Sequence, residues 1–197
     1  MPSAEERNTL FPVFLKISQL QTLVVGGGAV GLEKLNALLS NAPEAPVTLV
    51  GKSILPQIKM LAAGHLHVTL EERSFTAGDL QGKDLAIIAT NDPEQNKDIH
   101  AAAKARGILV NVADTPALCD FYLSSIVQKG HMKIAISTNG KSPTVAKRFR
   151  EVLSEMIPDE MEDILSKLGE IRSRLKGDFS EKVRELNKIT SVLINRK

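Results

Sequence analysis

The amino-acid sequence predicts an α/β fold, a doubly wound parallel β-sheet with helices on both faces, followed by a region of different pattern. Up to Ala113, short runs of β-branched and apolar residues alternate with segments of helical length. Several of these runs are almost continuously hydrophobic, as expected for strands that helices cover on both sides. The first run ends directly at a glycine-rich turn, Gly26–Gly28. Together these features indicate repeated βαβ units.

The elements of this sheet follow in order along the chain. A helix is predicted over residues 29–40, where apolar side chains recur at helical spacing. A second helix begins after Asp92, an N-cap residue that precedes a proline, and ends before Gly107, a typical residue just beyond a helix. Five strands are predicted, at residues 21–25, 47–50, 67–70, 84–89 and 108–113.

The pattern changes after Asp114. Two strand-like runs, 121–128 and 132–138, flank a glycine-containing turn and predict a β-hairpin. Ser142 followed by a proline predicts the start of a helix, and a charge-rich, amphipathic helical region follows it. We therefore expect three parts: the parallel sheet in residues 1–115, the hairpin and its helix in 116–157, and a helical domain in 158–197.

The composition argues against several classes of protein. No apolar run is long enough to cross a membrane, and the N-terminus lacks the layout of a signal peptide. Lysine and arginine number 25 against 23 aspartates and glutamates, and only 4% of the residues are aromatic, which is unlike a nucleic-acid-binding surface. The single Cys119 excludes an internal disulfide, and the four histidines form no convergent set of metal ligands. We expect a cytoplasmic protein without a metal site, and neither nucleic acid nor membrane as partner.

The glycine-rich turn carries the first functional motif. Gly26, Gly28 and Gly31 match the pattern G-x-G-x-x-G between a predicted strand and a predicted helix. In dinucleotide-binding proteins the first glycine permits the turn, the second lets the backbone approach a pyrophosphate, and the third allows the helix to pack closely. The N-terminus of the helix favours the phosphate charge. The alternative is a tight turn that binds no ligand.

The end of the second strand lacks the acidic residue that holds the ribose of NAD in many such sites. Lys52 and Ser53 follow this strand instead. Lys52 has the charge to bind a 2′-phosphate, so NADP stays open as the cofactor, and an ordinary exposed loop lysine is an equal alternative.

Polar residues follow two further strands. Thr90 and Asn91 come after the fourth strand, and Asp114 comes after the fifth, at the edge where open α/β sheets bind ligands. A carboxylate there can exchange a proton beside a bound nicotinamide. The alternative is that Asp114 or Thr115 caps a turn that begins at Pro116.

A basic group surrounds the helix start at Ser142. Lys141, Lys147 and Arg148 lie within the same short stretch, close to a helix N-terminus that itself favours anions. They indicate either a solvated surface or a pocket for a substrate with several carboxylates.

Several motifs in a fixed order resemble those of a known family. They are Phe11–Leu15, Leu23–Val30, the Ala-Thr-Asn-Asp stretch 89–92, the V-N-V-x-D stretch 110–114 and the S-x-x-G-x-S-P-like stretch 136–143. Over residues 8–157 the chain resembles the precorrin-2 dehydrogenase / sirohydrochlorin ferrochelatase family, which includes the N-terminal module of siroheme synthase. The resemblance implies NAD-dependent oxidation of precorrin-2 to sirohydrochlorin, and it leaves open a second activity that inserts ferrous or cobalt ion.

The resemblance also implies roles for individual residues. Asp114 is the expected catalytic residue, and Thr138 stands where some members carry a regulatory phosphoserine. A homodimer formed through the hairpin region is expected. The expected cofactor contacts are Gly26, Gly28, Ala29, Val30, Gly31, Lys52, Ser53, Thr90 and Asn91. The expected substrate contacts are Thr138, Lys141, Ser142, Lys147 and Arg148. The competing hypothesis is a non-catalytic NAD(H)-sensing module that acts through its helical tail.

Overall fold

A computed structural model describes residues 8–191 of the chain. The chain divides into two compact units. One comprises Thr9–Leu123, and the other comprises the remaining residues, mainly those from Ser124 onward. The three-part division expected from the sequence stays a prediction.

The first unit is built on a five-stranded, fully parallel sheet in the order β3-β2-β1-β4-β5. Its strands are β1 (Thr22–Val25), β2 (Val47–Gly51), β3 (Val68–Glu72), β4 (Leu85–Ile88) and β5 (Leu109–Val112). In the central register, Val24 lies between Leu49 and Ile87. The strand order reverses between β1 and β4, which is where open sheets of this kind bind ligands.

Three helices cover the sheet: α1 (Ala29–Asn41), α2 (Pro56–Ala63) and α3 (Pro93–Lys104). The predicted helices at 29–40 and after Asp92 correspond to α1 and α3, and Gly107 has the positive φ of 73° typical beyond a helix end. Helix α2 was not predicted from the sequence; it has only eight residues and buries only two side chains, Ile58 and Ala62.

The core of this unit has two layers, one on each face of the sheet. Leu35 and Leu39 of α1 pack with Ile58 of α2 on one face. Ile99 and Ala103 of α3 pack on the other face. Burial of each large aliphatic side chain contributes roughly 1.5–3 kcal/mol, so both layers fix the positions of the strand ends that form the site.

In the described part of the chain, the second unit contains an antiparallel hairpin and three helices. Strands β6 (Ser125–Lys129) and β7 (Met132–Ile136) pair so that Lys129 lies opposite Met132. The turn contains Gly130, whose φ of 56° suits a two-residue hairpin loop. The helices are α4 (Pro143–Met156), α5 (Met161–Arg174) and α6 (Phe179–Thr190).

Side-chain contacts tie the hairpin turn to α5. His131 Nδ1 lies 2.6 Å from Glu162 Oε1, and the His131 amide donates to Glu162 Oε2 at 2.7 Å. The hydrogen bond from the His131 amide, and to a smaller extent the one from the His131 ring, lowers the pKa of Glu162. Lys129 pairs with Asp159 just before the same helix. Within residues 8–191, no helix is both long and apolar enough to span a membrane.

Candidate active site

The carboxyl ends of β1, β2 and β4 enclose a cleft of about 370 Å³. It lies at the switch point in strand order, where the sequence predicts the dinucleotide. The glycine-rich turn, the loop after β2 and the loop after β4 supply most of its wall. The lining residues that the sequence predicted are Gly26, Gly28, Lys52, Ser53, Thr90 and Asn91.

Three of the four glycines in this turn are required by the protein's own packing. A β-carbon on Gly26 would lie 2.2 Å from the carbonyl oxygen of Ala89, and one on Gly27 would lie 2.1 Å from that of Ser53. A β-carbon on Gly31 would lie 2.0 Å from the carbonyl oxygen of Gly26. These distances explain the glycines without any ligand.

Gly28 differs from the other three. A β-carbon there would meet no protein atom within 4 Å, and its φ of −88° is open to any residue. Gly28 immediately precedes α1, whose first residues are Ala29 and Val30. The first amides of a helix have no partner within the helix, and they favour an anion. The space at Gly28 therefore fits a pyrophosphate that approaches the backbone closely.

The missing acidic residue at the end of β2 has a steric explanation. Gly51 occupies that position, and a β-carbon on it would lie 2.7 Å from the amide nitrogen of Gly27. The next loop is held against the glycine turn because the Leu55 amide donates to Gly27 O at 3.0 Å. Lys52 and Ser53 are exposed at the rim of the cleft.

The loop after β4 is held by a small hydrogen-bond network. Thr90 Oγ1 donates to the buried Asn96 Oδ1 at 2.5 Å, and Asn96 Nδ2 donates back to Thr90 O at 3.2 Å. The Asp92 carboxylate accepts hydrogen bonds from the amides of Glu94 and Gln95, which confirms its role as the N-cap of α3. Thr90 and Asn91 are thereby fixed between the glycine turn and β5.

Asp114 lines a second cleft, of about 410 Å³. The two clefts share Ala89, Thr90 and Asn91 as a common wall. Asp114 itself is exposed and has a φ of 55°, a left-handed conformation that aspartate and asparagine tolerate better than most residues. Val30 of α1 also lines this second cleft.

The turn that carries Asp114 is held by a segment that folds back along β5. The Asp120 amide donates to Val110 O at 2.7 Å, and the Asp120 carboxylate accepts from the Val110 amide at 2.9 Å. Cys119 Sγ accepts from the Val112 amide at 3.3 Å. Burial opposes ionisation of Asp120, but hydrogen bonds from Lys104 and the Val110 amide outweigh it and lower its pKa. Burial raises the pKa of the Cys119 thiol, so Cys119 is a structural residue here.

The predicted substrate contacts all lie in the second unit. The hydroxyl of Thr138 donates to Ser142 O at 3.1 Å and accepts from the Ser142 amide at 3.2 Å. Ser142 Oγ caps α4 by accepting from the Val145 amide. Lys141 and Lys147 are exposed, and Arg148 is exposed and pairs with Glu151 at 2.7 Å. Their role toward a substrate stays a prediction.

Several residues that line the clefts were not predicted from the sequence, and three of them carry polar or aromatic side chains that a ligand can contact. Phe75 and Gln95 line the first, and Lys97 lines the second. Gln95 and Lys97 follow the Asp92 cap in the first turns of α3. Their closeness in sequence to the predicted ligand-binding edge could therefore have indicated that they line it. Phe75 carried no comparable signal. Among residues 8–191, no cluster of histidine, cysteine or carboxylate side chains is suited to hold a metal ion.

The sheet order, the glycine turn and the two adjoining clefts define a dinucleotide-binding domain of the Rossmann class. Comparison with known proteins gives the family. The chain belongs to the family described as "Putative NAD(P)-binding", whose model matches residues 13–125. The model described as "Sirohaem biosynthesis protein central" matches residues 129–156.

Individual proteins agree with this assignment. The siroheme synthase of Pseudoalteromonas atlantica is 37% identical over 175 residues, which cover 89% of this chain and 35% of that protein. The siroheme synthase of Methylococcus capsulatus is 38% identical over 174 residues, which cover 88% and 34%. The chain therefore spans about a third of the length of these curated relatives.

A solved structure, "SirC, precorrin-2 dehydrogenase", superposes with a TM-score of 0.71 at 26% identity, covering 91% of this chain and 89% of that one. The expected family and α/β fold class are thus confirmed. The nicotinamide dinucleotide expected as cofactor is confirmed by the family description.

Proposed function

We propose that this chain oxidises precorrin-2 to sirohydrochlorin, with NAD as the hydride acceptor. The observation that carries the proposal is the wall of Ala89, Thr90 and Asn91 that joins the glycine-turn cleft to the cleft of Asp114. A cofactor site and a carboxylate thereby adjoin in a chain similar to siroheme synthases and to a precorrin-2 dehydrogenase.

The cofactor site is formed by this chain's own backbone. The open space at Gly28 and the first amides of α1 bind the pyrophosphate. Lys52 and Ser53 lie at one end of the cleft, and Thr90 and Asn91 lie at the other. When bound, the nicotinamide ring supplies the hydride-accepting chemistry.

Oxidation of precorrin-2 removes two hydrogens, one as a hydride and one as a proton. Asp114 accepts the proton, because its carboxylate is exposed in the cleft that shares the wall of Ala89, Thr90 and Asn91 with the cofactor cleft. Lys97 lines the same cleft and supplies a positive charge for a substrate carboxylate. Thr138, Lys141, Ser142, Lys147 and Arg148 remain our proposed further contacts to the substrate.

An anaerobic assay tests the proposal directly. The protein is incubated with precorrin-2 and NAD, and NADH formation is followed by its absorbance. We expect NADH and sirohydrochlorin in equal amounts. NAD binding without turnover would favour the NAD-sensing alternative instead. A higher specificity constant with NADP than with NAD would overturn the choice of cofactor.

A homodimer is the proposed assembly. The four side chains Val145, Phe149, Val152 and Met156 recur along α4 at helical spacing and are 44%, 57%, 50% and 68% exposed. Such an apolar stripe on a surface helix favours a protein partner. Light scattering that gives the monomer mass at micromolar concentration would contradict the proposal. A cytoplasmic location remains a prediction.

Metal insertion is a separate prediction that rests on the resemblance alone. The assay supplies sirohydrochlorin and ferrous or cobalt ion without NAD, and it compares the rate with that of the uncatalysed reaction. An equal rate would leave the dehydrogenase as the chain's only activity toward this substrate.

A further inference from the structure

Phe75 follows the end of β3 by three residues and lies partly buried. Its ring packs on the core cluster that contains Val50 and Ile99. The same residue lines the glycine-turn cleft together with Lys52 and Gln95. The Phe75 side chain therefore contacts the core and also faces the cleft, where it supplies an aromatic surface to a ligand.

Hydrogen bonds on both sides of Phe75 hold the loop that carries it. Arg73 binds Asp79 with two parallel hydrogen bonds, of 2.9 Å and 2.7 Å, and also donates to Ser74 O at 3.1 Å. The Asp79 carboxylate accepts a further hydrogen bond from the Thr76 amide at 2.7 Å. A bidentate guanidinium–carboxylate pair restricts both partners, so the contacts on either side of Phe75 hold its backbone in place.

The position of Phe75 in the strand order identifies which end of the dinucleotide it meets. The pyrophosphate site lies at Gly28, after the central strand β1. Asp114 lies after β5, on one side of it, and Phe75 lies after β3, on the other. Because the nicotinamide must lie beside Asp114, the adenosine half extends toward Phe75.

We propose that Phe75 is the wall on which the adenine ring of the cofactor stacks, and that the Arg73–Asp79 pair positions it. The proposal rests on the dinucleotide-dependent function proposed above. It assigns the base end of the site to an aromatic face, at a place where Gly51 leaves no room for an acidic side chain.

The first test uses ADP-ribose, which has the adenosine half of the cofactor and lacks nicotinamide. Phe75→Leu keeps apolar volume against the core but removes the aromatic face, and we expect it to weaken ADP-ribose and NAD binding alike, by roughly 5- to 100-fold in Kd. Phe75→Tyr retains the face and is expected to bind as the unchanged protein does. Calorimetric titration gives both constants, and thermal melting checks the fold.

Three results would overturn the inference: an unchanged Kd for ADP-ribose in folded Phe75→Leu, a loss confined to NAD, or an equal loss in Phe75→Tyr. Assays of the wild-type protein distinguish a failure of this inference from a failure of the proposed function. If it binds ADP-ribose through Phe75 but leaves precorrin-2 unreacted, the function fails and the adenine wall stands. If it oxidises precorrin-2 while Phe75→Leu binds normally, only the adenine wall fails.

A second test does not depend on the folding of Phe75→Leu. The chain contains no tryptophan, so Phe75→Trp introduces a single indole reporter at the wall. Stacking of adenine on the indole is expected to quench its fluorescence as ADP-ribose saturates the site. Leu66→Trp is the matched control. Leu66 is 99% exposed and lies just before β3 begins, whereas Phe75 follows the other end of the same strand. Quenching in neither variant, or in both equally, would overturn the proposal.

The role of the Arg73–Asp79 pair is tested in the same titration. Arg73→Met removes the two hydrogen bonds to Asp79 but leaves Phe75 itself intact. We expect a weaker Kd for ADP-ribose in this variant and, in the Phe75→Trp background, a smaller quench at saturation, because the ring is less well held. Unchanged Kd and quench would show that the pair does not position Phe75.

Discussion

The side-chain amide of Asn111 donates a hydrogen bond to the carbonyl oxygen of Phe121 at 2.8 Å, and Asn111 is 93% buried by the sheet and its neighbours, with 7% of its surface exposed. Asn111 lies in β5, three residues before Asp114. The bond draws the segment after Asp114 back onto the outer strand of the sheet, next to the contacts of Cys119 and Asp120. It thereby closes the turn that presents Asp114 to its cleft.

Asn111→Leu should destabilise the protein by about 1–3 kcal/mol, because it leaves the Phe121 carbonyl without its buried partner. Urea unfolding monitored by circular dichroism gives the free energy of unfolding. Asn36→Leu is a control for the same chemical change, since Asn36 is exposed on α1. An equal effect in both variants would show that the bond to Phe121 contributes nothing specific.

Asp114→Asn should keep the fold and the affinity for NAD but lower dehydrogenation by about 10²- to 10⁴-fold, the usual contribution of a general base. Asparagine tolerates the left-handed backbone at this position, so the turn is retained. Steady-state kinetics and NAD titration measure the two properties. Asp98→Asn, at an exposed carboxylate of α3, is the matched control. Normal turnover in Asp114→Asn would assign Asp114 a structural role only.

Gly28→Asp should abolish NAD binding in a folded protein. Its β-carbon meets no protein atom, so the new carboxylate occupies the space and the field of the pyrophosphate without disturbing the turn. Gly169→Asp is the control, because Gly169 in α5 is also free of contacts to an added β-carbon. Calorimetry that finds NAD affinity unchanged by Gly28→Asp would remove the pyrophosphate site from Gly28.

The sequence was sufficient to predict the sheet, because buried parallel strands are continuous apolar runs and the helix that begins after Asp92 has its own start and stop signals. Helix α2 was missed because eight residues with only Ile58 and Ala62 buried give too short a periodic pattern. The need for glycine at position 51 was also hidden, since it arises from Gly27, a residue far away in sequence. Phe75 was missed for the same reason: its place at the cleft depends on tertiary contacts.

Acid should destabilise the protein partly through Asp79. The hydrogen bonds from Arg73, and then from the Thr76 amide, outweigh burial and hold the pKa of Asp79 below its ordinary value of 3.8. A carboxyl with a lowered pKa in the folded state contributes stability above its unfolded pKa, and this contribution is lost as the pH falls through the folded value. The unfolded chain takes up the proton first, so the loss begins near an ordinary aspartate pKa and grows toward lower pH.

Asp79→Asn isolates this contribution. At neutral pH the variant should unfold at a lower urea concentration than the unchanged protein, because the charged pair with Arg73 is gone. As the pH falls below about 4, the difference in free energy of unfolding between the two proteins should shrink, since the native aspartate must then be protonated as well. Asp98→Asn, which removes an exposed carboxylate, should show no such convergence. A difference that stays constant down to the lowest pH at which both proteins fold would show that the Arg73–Asp79 pair does not couple folding to protonation.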